Sequence, residues 1–88
     1  MKELVKEAEA FSENFSKMHL SYYIVKKAFG MYGIEIENET KHGLEHASFK
    51  NISSDKKFVC FLVKKLADGL VTPVTLSDVT EDLIKQFG

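Results

Sequence analysis

Three groups of residues in this chain have types and spacings that chemistry could use. The first is His42-Gly43-Leu44-Glu45-His46, which matches the H-x-x-E-H pattern of inverted zinc proteases. That chemistry needs a helix, so that both histidines project one turn apart onto the metal while the glutamate polarises water. Here Gly43 lies inside the motif, the stretch before it is turn-forming, and the stretch after it alternates as a strand. The motif therefore reads as two solvent-facing histidines around a hairpin loop, with no metal, and His19 has no spacing that would make it a third ligand. The second is Cys60, the one thiol, in Phe58-Val59-Cys60-Phe61-Leu62-Val63. Lys56, Lys57 and Lys64 could favour a thiolate there, but a nucleophile also needs a base, and a free cysteine in such a run reads as a small core residue. No Ser/His/Asp ordering, glycine-rich phosphate loop or paired-carboxylate cleft is discernible, so no catalytic residue, cofactor or small-molecule substrate is expected.

The third group is Phe61 among Lys56, Lys57, Lys64 and Lys65. On a helix, with about 100° per residue, Phe58, Val59, Leu62, Val63 and Leu66 face one way, and the lysines spread over the other with Cys60 and Phe61 among them. An aromatic ring amid ammonium groups reads as a stacking platform for single-stranded nucleic acid, as an anchor for a protein partner, or as core covered by another helix. Leaving the ring bare forfeits on the order of 1.5–3 kcal/mol, which favours cover by polypeptide.

The elements that would place these groups follow from periodicity. Leu4, Ala8, Phe11, Phe15 and Met18 recur at alternating spacings of four and three, which predicts an amphipathic N-terminal helix over 1–19, with Glu13 and Lys17 in favourable i,i+4 order. That helix, with four Glu against three Lys, is the expected lid over Phe61, either within the chain or from a second copy. Residues 20–25, 32–37 and 45–52 read as three antiparallel strands, with Glu35, Glu37 and Glu39 on a solvated face. Ser53-Ser54-Asp55 offers N-caps for a helix running to Asp68. Gly69 is expected as a left-handed C′ residue followed by apolar Leu70, and Pro73 forbids immediate resumption. Thr75 and Asp78 then suggest a capping box, and Val74 with Val79 a staple, for a last helix over 76–87. The acids Asp78, Glu81 and Asp82 suit its N-terminal end. The order is α-β-β-β-α-α: an α+β fold with an N-terminal helix, a three-stranded meander, and two C-terminal helices on one sheet face, as a single domain.

Several of these stretches also resemble a known group. Tyr32-Gly33-Ile34-Glu35-Ile36, Ile52-Ser53-Ser54-Asp55 and the run from Pro73 to Leu83 are similar to short bacterial proteins catalogued as a domain of unknown function. The likeness covers about residues 22–84 and departs from the usual pattern at Thr75, where His is common, and at Thr80, where Val or Ile is. The resemblance implies the architecture and carries no activity.

Length and charge bound the rest. The chain has 88 residues, twelve Lys against thirteen acids, no Trp, and a net charge of −1. That is one small domain with a thin core, and it has no global basicity to advertise nucleic acid. The lone cysteine suits a reducing, cytoplasmic setting, and no apolar run reaches membrane-spanning length, so no membrane partner is expected. The resulting expectation is a non-enzymatic, self-associating protein-interaction or regulatory module. Its candidate surface is Leu4, Phe11, Phe15, Met18, Lys57, Phe61, Lys64 and Lys65, and its partner a second copy or another protein. The weaker alternative is a nucleic-acid-associated regulator using the lysine face of the 54–68 helix.

Overall fold

A computed structural model describes residues 1–12 and 14–88. Its elements are strands β1 (Lys2–Phe11), β2 (Lys17–Lys26), β3 (Tyr32–Thr40) and β4 (Gly43–Ser53), then helices α1 (Lys56–Asp68) and α2 (Leu76–Phe87). Short 3₁₀ turns at Ala28–Gly30 and Pro73–Thr75 join β2 to β3 and lead into α2. The four strands form one antiparallel meander in the order β1-β2-β3-β4, and the helices lie on one side of it.

The expected N-terminal helix is therefore corrected: residues 2–11 and 17–26 are a β-hairpin, and the sheet has four strands rather than three. The physical reason lies in β1's own pattern. Glu3, Lys6, Ala8 and Ala10 pair with inward-facing Ile24, Tyr22, Leu20 and Met18, so the strand alternates once its register shift between Leu4 and Lys6 is allowed for. That bulge at Val5 breaks the period of two in the middle of the strand's first half, where alternation would otherwise show. Leu4 and Phe11 fall on the open face, Phe15 in the hairpin turn and Met18 on the helix side, so the proposed heptad seam does not exist. The expected Glu13–Lys17 pair lies outside the described residues.

The core forms where the central strands meet α1. Leu20, Tyr22 and Ile24 of β2 and Ile34 and Ile36 of β3 pack against Val59, Leu62, Val63 and Leu66, with Leu76 of α2 closing the cluster. Tyr22 is wholly buried and its hydroxyl donates to the Val71 carbonyl at 2.9 Å, tying β2 to the α1–α2 connection. Burial pushes that phenol's pKa up to about 12. Each edge strand carries a register shift and lysines: Val5 with Lys2 and Lys6 on β1, and the 50–52 stretch with Lys50 on β4. These features discourage pairing with another chain's strand. The β4 bulge presses on Gly33, where an added Cβ would sit 2.6 Å from the Phe49 carbonyl oxygen.

The C-terminal half follows the sequence closely, with two corrections. Asp55 caps α1 as expected, its carboxylate accepting from the Lys57 and Phe58 amides. The left-handed residue after α1 is Leu70 (φ 52°), while Gly69 stays at φ −88°. At the start of α2, Thr75 makes no side-chain cap bond, and Val74 is 82 % exposed, so neither capping box nor staple forms.

Candidate interaction surface

The sheet's open face is occupied with its own charges. The Lys2 ammonium, reaching across β2, donates to Glu35 at 2.8 Å and Glu37 at 2.9 Å and lies 4.4 Å over the Tyr23 ring. These hydrogen bonds hold the Lys2 pKa above the ordinary lysine range. The Lys2 hydrogen bond is the main reason that Glu37 is held below the ordinary carboxylate range, and Tyr23, whose hydroxyl donates to Glu37 at 3.1 Å, adds to it. Tyr23 is itself raised, by desolvation first and by Glu37 second. Along the same face His19 meets Glu7 at 3.2 Å and Lys17 meets Glu9 at 3.4 Å. Such a face is neutralised locally and stays wet. Of the face expected to be solvated, Glu39 is exposed, whereas Glu35 and Glu37 are half-buried and tied to Lys2 of β1.

The helical layer differs. Val59, Leu62, Val63 and Leu66 take the buried side of α1, leaving Lys57, Phe61, Lys64 and Lys65 outside at helical spacing. Phe87, in the last turn of α2, meets Phe61 edge-on with ring centroids 5.1 Å apart and planes at 83°, the arrangement favoured by ring quadrupoles. The Lys65 ammonium stands 5.4 Å from the Phe61 centroid and 5.8 Å from that of Phe87. Phe61 is still 38 % exposed and Phe87 44 %. The ring is therefore sheltered by polypeptide from its own chain, but only in part, and the shelter is α2, where the sequence had suggested the N-terminal segment.

Beside this seam the two helices carry opposite charge. Lys57, Lys64 and Lys65 of α1 and Asp78, Glu81 and Asp82 of α2 are all exposed and have no ion-pair partner among the described residues. Lys56 and Asp68, at the two ends of α1, are instead bound to β1 through Glu3 at 3.3 Å and Lys6 at 3.5 Å.

The structure thus brings together four of the eight residues expected at the surface, Lys57, Phe61, Lys64 and Lys65. It separates Leu4, Phe11, Phe15 and Met18 from them. Met18 lies at the end of the helix-side face, where its sulfur accepts from the Asn38 amide at 3.5 Å. Phe15 is 85 % exposed at the β1–β2 turn. His42 is in the β3–β4 turn and His46 on β4 opposite Glu37, so the two never share a helical face. Among the described residues no three His, Cys, Asp or Glu side chains converge as metal ligands. Cys60 is half-buried against the core. Sequence reasoning missed Phe87 as the partner of Phe61, although its place at the end of an apolar stripe was visible. It also passed over Phe29, although Lys26 and Lys27 precede it.

No curated protein and no solved structure matches the chain. The profile of one family matches from residue 1 to residue 86, a longer span than the resemblance over 22–84 and one that includes the β1–β2 hairpin. With all but its last two residues spanned, the chain belongs to the family of unknown function DUF6514.

Proposed function

We propose that this chain is a non-catalytic protein-interaction module that self-associates through its helical layer. The observation that carries the reading is an incompletely covered aromatic pair, Phe61 and Phe87, between a basic helix and an acidic one. Such a layer is complementary to a rotated copy of itself. A twofold axis running along the seam lays α1 of one copy over α2 of the other and stacks the four rings near the axis. By helical rise, Lys64 and Lys65 stand about 5–6 Å beyond Phe61, and Glu81 and Asp82 about 8–9 Å before Phe87. Because α2 returns along α1, these groups come level across the axis. Two helices of 13 and 12 residues present a footprint of roughly 400 Å² per copy, below the size of stable specific interfaces. The association is therefore weak and concentration-dependent.

The test is sedimentation velocity over a concentration series, with paired charge reversals. K64E/K65E and E81K/D82K should each run as monomers, and an equimolar mixture of the two should regain the dimer, because each supplies the charge the other has lost. A wild-type chain that stays monomeric at about 100 μM, a concentration at which weak dimers form, would overturn the proposal. So would reversals that leave its mass distribution unchanged. The nucleic-acid alternative uses the same lysines as phosphate ligands, but α2's carboxylates stand beside them and repel a phosphate backbone. It expects salt-sensitive retention of single-stranded DNA, lost in K64E/K65E and not restored by mixing.

A further inference from the structure

We propose that the β2–β3 loop is a docking tip for anionic lipid surfaces, with Phe29 as the inserting wedge and Lys26, Lys27 and Lys50 as the phosphate-binding collar. Phe29 is 100 % exposed, the most exposed large apolar side chain described. Its backbone is left-handed (φ 64°), followed by Gly30 at φ 73°, in a tight loop closed by the Lys27 amide on the Met31 carbonyl at 2.8 Å. A bulky L-residue at positive φ is strained, and here the strain holds a ring away from every other side chain of its own fold.

The charge around the tip is one-sided. Lys26 and Lys27 precede the ring, Lys50 lines the same small crevice as Lys27, and Lys2 and the start of α1 with Lys56 and Lys57 lie at this end of the sheet. The carboxylates within reach are engaged elsewhere. Glu35 is held by Lys2 at 2.8 Å, Glu3 by Lys56 at 3.3 Å, and Asp55 caps the amides of α1. Lys26, Lys27, Lys50 and Lys57 have no ion-pair partner among the described residues.

The shape selects the partner. A base-stacking platform needs a ring lying on a surface along which a strand can track, and a protein hot spot sits in a packed patch with a rim. Phe29 stands instead wholly exposed in a tight loop, with Lys26 and Lys27 just before it and Lys50 beside Lys27. Pushed roughly 5–10 Å into the headgroup boundary, the ring reaches acyl chains while the lysine stems extend back to the phosphates. Among the described residues no helix is long and apolar enough to cross a membrane, and the contact proposed is a peripheral one. It departs from the sequence-based expectation of no membrane partner.

The chain contains no tryptophan, so Phe29→Trp is a lone fluorescent reporter at the tip. The whole chain is mixed with phosphatidylcholine vesicles, with and without phosphatidylserine, and both flotation and emission are followed. Binding only to the anionic vesicles, a blue shift of the indole emission in the Phe29→Trp variant, and quenching by brominated acyl chains are expected. Phe29→Ser should weaken partitioning roughly tenfold or more, and K26E/K27E should abolish it. Absence of flotation with anionic vesicles at low salt would overturn the proposal, as would binding that Phe29→Ser leaves unchanged. Emission that responds to single-stranded DNA and not to vesicles would replace it with a nucleic-acid tip. All of these substitutions are on exposed side chains of the loop and its flank, so loss of the fold does not confuse the outcome.

Discussion

Replacing Tyr22 by Phe isolates one hydroxyl that ties the sheet to the connection carrying α2 back along α1. The ring stays buried, but the 2.9 Å bond to the Val71 carbonyl is lost. A neutral hydrogen bond with its acceptor left short of a partner is worth about 1–2 kcal/mol, so Tyr22→Phe should be less stable than wild type by that amount at pH 7. For a domain of this size that lowers Tm by roughly 4–16 °C. The same hydroxyl gives the difference a pH dependence. Because burial raises the folded phenol from 10.0 to about 12, the native state holds its proton more tightly than the unfolded chain. The stabilisation is present in full below the unfolded value near 10 and is withdrawn as pH rises toward 12, at about 1.4 kcal/mol per pH unit. Phe cannot ionise, so the advantage of wild type should vanish near pH 11 and reverse above it, while lysine titrations common to both proteins cancel. Urea unfolding followed by circular dichroism at half-unit steps from pH 7 to 11.5 measures this directly. A difference that stays constant across that range would refute the reasoning about burial, and a variant more stable at pH 7 would refute the hydrogen bond.

Phe61→Ser should weaken self-association. With a side chain of roughly 200 Å², the 38 % left exposed is about 75 Å² per copy. At ~25 cal/mol/Å², discounted by half for the retained Cβ and imperfect packing, two copies lose ~2 kcal/mol, or about 30-fold in the dimer dissociation constant by analytical ultracentrifugation. A change under threefold would show that the ring is not in the interface. Gly33→Ala drives a methyl to 2.6 Å from the Phe49 carbonyl oxygen and 3.0 Å from the Lys50 Cα, so it should cost about 1–3 kcal/mol; a thermal melt unchanged within 2 °C would contradict the close approach. Glu37, held low chiefly by Lys2, contributes stability that is present above the ordinary carboxylate pKa and lost as pH falls through its lowered value. In Lys2→Met its side-chain NMR resonance should titrate at distinctly higher pH, and an unchanged titration would remove the clasp from the account.

How far the sequence determined this picture depends on where the core lies. From Tyr32 onward the hydrophobic period and the first cap agree, though the Gly69 ending and the Thr75 capping box do not: Ile34 and Ile36 alternate with acids, Asp55 caps, and Leu62 and Leu66 repeat at four on a helix whose other side is lysine. Local preference and tertiary need coincide there, so the elements were legible. In the first hairpin they conflict. Lys, Glu and Ala favour helix intrinsically, and β1 is an edge strand whose inward residues are as small as Ala8 and Ala10, so little apolar alternation is left to read. What makes it a strand is pairing with β2, from Phe11 opposite Lys17 out to Lys2 opposite Val25, a tertiary gain that intrinsic propensity does not record. The same limit applied to the surface. The lysine-flanked Phe61 could be read from helical spacing alone, whereas its partner Phe87 lies 26 residues along the chain and is brought back only by the packing of α2.

The two proposed surfaces have a geometric relation that neither has alone. α1 begins at the end of the molecule where Lys26, Lys27 and Phe29 project, and Lys56 at its start is anchored to Glu3 of β1. A twofold axis running along the seam leaves that direction unchanged, so both tips of the dimer point the same way. Any axis perpendicular to the helices would send them to opposite ends. Only the first arrangement lets two wedges and two lysine collars meet one surface together, converting the second contact into an intramolecular event at high effective concentration. Coupling between the two equilibria is then reciprocal: a surface that gathers tips raises the population of dimer, and a dimer binds the surface more tightly than either copy could. For a small domain with a thin core and an interface of modest area, this coupling would make a weak association responsive to an anionic surface.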